Sequence, residues 1–124
     1  MTQKEFTLKN EFKNVGKLKH FEDLDSPEEE HFGVKWKINI QQNGEHLAMY
    51  LYTNFNENQQ VYADFTMTTF SKNKEKTHSV SLSNVYEGGE PPLLNWGLPS
   101  FMIWKTMEKE YLNRGNLEVE FMLK

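Results

Sequence analysis

The sequence predicts an all-β fold, an antiparallel sandwich, from three observations. Residues 31–40, HFGVKWKINI, carry Phe32, Val34, Trp36, Ile38 and Ile40 at every second position, the period of a half-buried strand. Short runs of this kind, about seven or eight in all, recur along the chain between turn residues, a spacing typical of sandwiches. One stretch, residues 104–112, has its apolar residues at helical spacing instead.

The elements follow in order. Phe6, Leu8 and Phe12 mark an opening strand, followed by the turn NVGKL. After the 31–40 strand comes QQNGE, where Asn43-Gly44 favours a tight hairpin. Residues 46–53, HLAMYLYT, run back with Leu47, Met49 and Leu51 on one face and Ala48, Tyr50 and Tyr52 on the other. NFNENQQ, 54–60, is a polar loop, and VYADFTMTTF, 61–70, is a strand rich in β-formers. SKNKEK turns the chain into 77–84, where Val80 and Leu82 face inward. In WKTMEKEYL, 104–112, Trp104, Met107 and Tyr111 share a helix face, and Asn113-Arg114-Gly115 stops the helix. Leu117, Val119, Phe121 and Leu123 alternate with Glu118, Glu120 and Met122 in a closing strand with one wet face.

Composition narrows the function classes. A chain of 124 residues is expected to form one domain with a real core. Net charge is −4 and no long basic run is present, which argues against nucleic acid as a partner. No apolar run approaches the roughly 18 residues of a membrane span, and MTQKEF lacks a signal-peptide core. With no cysteine, disulfide and Cys-metal frameworks are ruled out. The expectation is an intracellular protein, cytoplasmic or nuclear. The aromatic share, 14%, suits a β core, an interface, or both.

Signatures of catalysis are weak. The histidines, His20, His31, His46 and His78, form neither an HExxH helix nor a two-His clasp. His31 follows Glu28, Glu29 and Glu30, but neighbours on an extended chain point in opposite directions, so that run reads as a solvated acidic loop. Asp23 and Asp25 lack the glycine and spaced oxygens of a Ca²⁺ loop. Gly88-Gly89-Glu90-Pro91-Pro92 sits at no strand-to-helix transition that would cradle phosphate. No nucleophile elbow or dinucleotide fingerprint is present. The reading is not an enzyme, with no metal and no cofactor. What remains is aromatic: Tyr50 and Tyr52 on an outer face, and Trp96 after the apolar approach Pro91-Pro92-Leu93-Leu94.

In order, FTLKNEFKNV (6–15), EEEHFGVKWKINI (28–40), HLAMYLYT (46–53), NWGLPSFMIW (95–104), EYL (110–112) and NLEVEFML (116–123) resemble the MATH domain, the meprin and TRAF homology module. The most specific part is Trp96-Gly97, the Phe-containing run after it, the helical turn and the last strand. The resemblance implies an eight-stranded TRAF-like antiparallel sandwich with one short helix. It also implies a peptide-docking module, closest to the BTB-associated adaptor branch or a solitary MATH protein. In the adaptor branch such a domain recruits substrates to a cullin-type ubiquitin ligase through a downstream BTB domain. Residues 1–124 would then be a single MATH domain, compatible with excision from a longer chain.

Carried over by position, the adaptor groove maps to Tyr50, Phe65, Trp96, Gly97 and Leu98, with Tyr86 as a further member. Gly97 is expected to let a peptide backbone approach, because it has no Cβ. Leu94 and Asn95 replace the family's charged pair and Leu98 replaces its Phe, so the groove should be more apolar. Phe101 and Ile103 are expected to return the chain to the core. The expected partners are peptide segments of other proteins, with BTB and cullin assembly through another domain and the isolated domain monomeric. Two other readings stand beside this one: a carbohydrate-binding sandwich using Tyr50 and Trp96 as a platform, and a scaffold domain whose aromatics pack on a neighbour.

Overall fold

The computed structural model describes residues 5–55, 59–88 and 94–124. The middle of the 54–60 loop and most of the Gly88–Pro92 segment, with Leu93, lie outside the described residues. The described strands are β1 (Phe6–Phe12), β2 (Asp23–Asp25), β3 (Glu29–His31), β4 (Val34–Asn43), β5 (His46–Asn54), β6 (Gln60–Phe70), β7 (Thr77–Glu87), β8 (Asn95–Ile103) and β9 (Leu117–Leu123). They form two antiparallel sheets, ordered β1-β9-β6-β7 and β2-β4-β5-β8, with β3 also paired to β4. The alternating apolar residues of both sheets meet in one core. Leu8, Phe65, Met67 and Phe121 come from the first sheet, and Trp36, Ile38, Met49 and Leu51 from the second.

Among the described residues the strands number nine, where eight were expected. Two short strands, β2 and β3, fall where the sequence reads as acidic loop. They carry almost no apolar pattern, so no periodicity betrays them. Their order comes from bonds to β4: Ser26 N–H donates to the Ile38 carbonyl (2.8 Å) and Ile38 N–H donates back to Ser26 Oγ (2.8 Å). The Asn39 amide adds two bonds, donating to Asp23 (2.7 Å) and Asp25 (2.8 Å).

Phe32 is not part of the alternating strand face. It sits in the turn between β3 and β4 with φ 56, followed by Gly33 at φ 79, and is 57% exposed. A two-residue hairpin turn with both φ positive matches strand twist, and it outweighs the apolar preference of one residue. The rest of the run behaves as expected, with Trp36 at 3% exposure and Ile38 and Ile40 fully buried. The β4–β5 turn is made by Gly44 (φ 62) and Glu45, and Asn43 is the last strand residue, paired with His46.

Helix α1 begins as Trp104–Thr106 and continues as a π-helical turn, Met107–Tyr111. Trp104, Met107 and Tyr111 are all buried, so the expected helix face is the packed one. Arg114 (φ 56) and Gly115 (φ 84) then reverse the chain, with Asn113 and Asn116 exchanging backbone bonds of 2.9 and 3.0 Å. Phe101 returns to the core as expected, but Ile103 is 55% exposed. Ile103 immediately precedes the helix, whose Trp104 takes the inward position.

Candidate functional site

Two strands with only one partner each, β7 in the first sheet and β8 in the second, lie along one margin of the sandwich. Cross-sheet contacts brace β7 against the second sheet at both ends, on β8 and on its neighbour β5. At one end the His78 Nε2–H donates to the Phe101 carbonyl (3.0 Å), and the two rings meet edge-on at 4.8 Å. At the other end the Tyr86 hydroxyl, fully buried, donates to the Leu51 carbonyl (3.2 Å). Leu51 is the residue directly paired with Trp96. The two strands therefore run antiparallel across the margin, from His78 and Phe101 to Tyr86 and Trp96.

Between these braces lies an apolar seam. The inward positions of β7, Val80, Leu82 and Asn84, pair with Met67, Phe65 and Ala63 of β6 and are half-buried. The inward positions of β8 are Leu98, opposite Met49, and Trp96, opposite Leu51. Leu98 is half-buried and Trp96 is 41% exposed. An inward-facing tryptophan stays open to solvent here because β8 ends its sheet, with no further described strand to cover it. The seam also holds a polar group without a mate among the described residues: Asn84 Nδ2 is buried and has no hydrogen-bond partner there.

The structure divides the six residues expected to share a groove. Trp96 and Leu98 flank the seam. Phe65 (2% exposed) and Tyr86 (0%) are core residues. Phe65 stacks on Phe121 at 6.0 Å, and Tyr86 meets Trp36 edge-on at 5.9 Å, so both back the seam from within and offer no open face. The family's positions place both in the groove, but here the opposite sheet covers them.

Tyr50 lies on the other side of its sheet. It pairs with Gly97 and with Asn39, whereas Trp96 shares the face of Leu51. The joint Tyr50–Trp96 platform of the carbohydrate reading is therefore not formed. Tyr50 is half-buried beside Tyr52, whose ring carries Lys37 Nζ 5.5 Å from its centroid. Burial, and secondarily Tyr52, raises the Tyr50 phenol above its ordinary pKa.

Gly97 has a different reason from the one expected. A Cβ on it would collide with the Met49 carbonyl oxygen and come within 2.7 Å of the Tyr50 Cα. The pairing register shifts between Leu47 and Met49, and β8 crosses closest to β5 just there. The backbone that needs the glycine is the chain's own. Asn84 was the seam residue that sequence reasoning missed. As the last residue of a predicted strand it carried no distinguishing signal.

Among the described residues no group of three or more His, Cys, Asp or Glu is placed to hold a metal ion. No helix among them is long and apolar enough to cross a membrane. The family model described as MATH domain matches residues 12–124. The chain belongs to the MATH domain family. A comparison with curated proteins gave no match. The MATH domain is a protein–protein interaction module, and in this MATH domain the β7–β8 seam combines an accessible tryptophan, apolar walls and an unpaired donor.

Proposed function

We propose that this MATH domain docks an extended peptide segment of another protein in the β7–β8 seam, and that binding, not catalysis, is its role. The observation that carries the reading is the solvent-open Trp96 on the same margin as the buried Asn84 Nδ2, which has no partner among the described residues. Trp96 and Leu98 supply apolar contact, Leu82 the facing wall, and a peptide carbonyl gives the Asn84 amide its missing acceptor. An extended peptide suits the seam because alternate side chains can enter while the others face solvent. Tyr50 and Gly97 stand outside this contact. A module of this kind fits substrate recognition in a cullin-type ubiquitin ligase adaptor, assembled through a BTB domain elsewhere in the protein.

A short peptide loses conformational freedom on binding, so the affinity is micromolar, about −8 kcal/mol. The test is a peptide-library selection followed by chemical-shift mapping. Selected peptides should shift Trp96, Leu98, Leu82 and the Asn84 side-chain amide, and Trp96→Ala should remove most binding with the fold intact. Shifts confined to the outer face around Tyr50, or a Trp96→Ala domain that unfolds, would overturn the assignment.

A further inference from the structure

A cavity of 310 Å³ opens elsewhere in the sandwich, where the β3–β4 turn lies beside the start of β1. Its walls include Phe6, His31, Phe32, Trp36, Tyr62 and Ala63. The Phe6 ring stacks on His31 (4.1 Å, 12° between planes) and lies 5.5 Å from Trp36. Two of the wall residues are aromatics largely open to solvent, Phe32 at 57% and Tyr62 at 63%. The volume lies at the lower end of ligand-binding cavities, roughly 300–1,000 Å³.

Two further observations say what fits. Trp36 is 3% exposed, yet its Nε1–H is buried with no partner among the described residues. A buried indole N–H usually finds an acceptor, so the cavity lacks one that an occupant could bring. The chain flanking these walls is acidic: Glu5 precedes Phe6, and Glu28, Glu29 and Glu30 precede His31, all of them exposed. Glu29 is engaged by His31 at 3.2 Å. Lys124 is the cationic side chain among the described residues of the cavity wall.

We propose that this cavity is a second docking site, separate from the seam, that takes one aromatic side chain of a basic peptide from a partner protein. The ring fills the space between Phe6, Phe32 and Tyr62. A main-chain carbonyl beside it accepts from Trp36 Nε1. Flanking Lys or Arg residues face the Glu5 and Glu29 carboxylates. The proposal rests on the interaction-module reading but not on the seam, because its walls and reporter residue differ.

The chain has three tryptophans, so three indole N–H resonances report separately. The probe is N-acetyl-Lys-Phe-Lys-amide, titrated into the ¹⁵N-labelled domain to millimolar concentration. The Trp36 indole resonance should move while those of Trp96 and Trp104 stay, and N-acetyl-Lys-Gly-Lys-amide should move none. Tyr62→Ala, at an exposed wall residue, should weaken the probe roughly tenfold, as loss of a contact aromatic does. An unmoved Trp36 resonance, an equal response to the glycine probe, or an unchanged titration of Tyr62→Ala would each overturn the proposal. Equal binding of uncharged N-acetyl-phenylalaninamide would refute the basic partner. Trp96→Ala should leave this titration unaltered, which keeps failure here distinct from failure at the seam.

Discussion

Replacing Gly97 with alanine should destabilise the fold by about 3 kcal/mol, the upper end for inserting one methyl group into a filled space. The collision is with backbone, the Met49 carbonyl oxygen and the Tyr50 Cα, so no rotamer change relieves it. Relief requires β8 to move off β5, its one partner in the sheet, and to loosen the pairs from Tyr52↔Asn95 to Met49↔Leu98. For a chain of 124 residues, unfolding entropy near the midpoint is about 0.26 kcal/mol/K. A loss of about 3 kcal/mol therefore lowers Tm by about 12 °C. Thermal unfolding followed by far-UV circular dichroism, with urea unfolding alongside, measures it. A Gly97→Ala domain with unchanged Tm but weakened peptide binding would refute this account. It would mean that the glycine makes room for a ligand and not for β5.

Three other outcomes are expected. Trp36→Ala should cost about 3–5 kcal/mol, as large core deletions do, and an unchanged urea midpoint would show that its face is misassigned. Burial raises the Tyr86 phenol well above its ordinary 10.0, so its neutral form stabilises the fold fully below pH ~10 and that contribution is lost as pH rises beyond it. Tyr86→Phe should cost about 1 kcal/mol at neutral pH for the lost bond to Leu51 and should make the alkaline loss of stability shallower; an equally steep loss would count against the assignment. The isolated domain should sediment as a monomer at micromolar concentration, and a concentration-independent dimer would overturn that expectation.

Where one face of an element is buried and its pattern is regular, the sequence was readable. The β4–β5 hairpin follows from the Trp36-Ile38-Ile40 alternation and the glycine at 44, and the buried face of α1 follows from Trp104, Met107 and Tyr111. Legibility failed where backbone geometry overrode side-chain preference. Phe32 looked like one more inward residue, but its left-handed backbone belongs to a turn. β2 and β3 exist through bonds to β4, which apolar periodicity does not encode. At the site, alternation assigned faces but not cover. Phe65 and Leu82 are paired inward neighbours, yet Phe65 is sealed against Phe121 and Leu82 stays half-open at the sheet's end. The family's positions put Trp96 and Tyr50 in one groove, and neither sequence segment shows the register of β5 against β8 that sets them on opposite faces.

The order β1-β9-β6-β7 has a consequence for how the domain comes into being. β9, which follows every other described strand of its sheet, is an interior strand there, and β1, which precedes them, pairs among the described strands of that sheet with β9 alone; Phe6 meets Leu123 across more than a hundred residues. During synthesis the hairpins β4–β5 and β6–β7 can zip from local turns. The opening strand must wait, with Phe6, Leu8 and Phe12 unburied, until residues 117–123 have left the ribosome. Closure over so long a loop makes folding slow. A nascent chain stalled before β9 presents β1 and one side of β6 as unpaired strands, the species that a chaperone would have to shield.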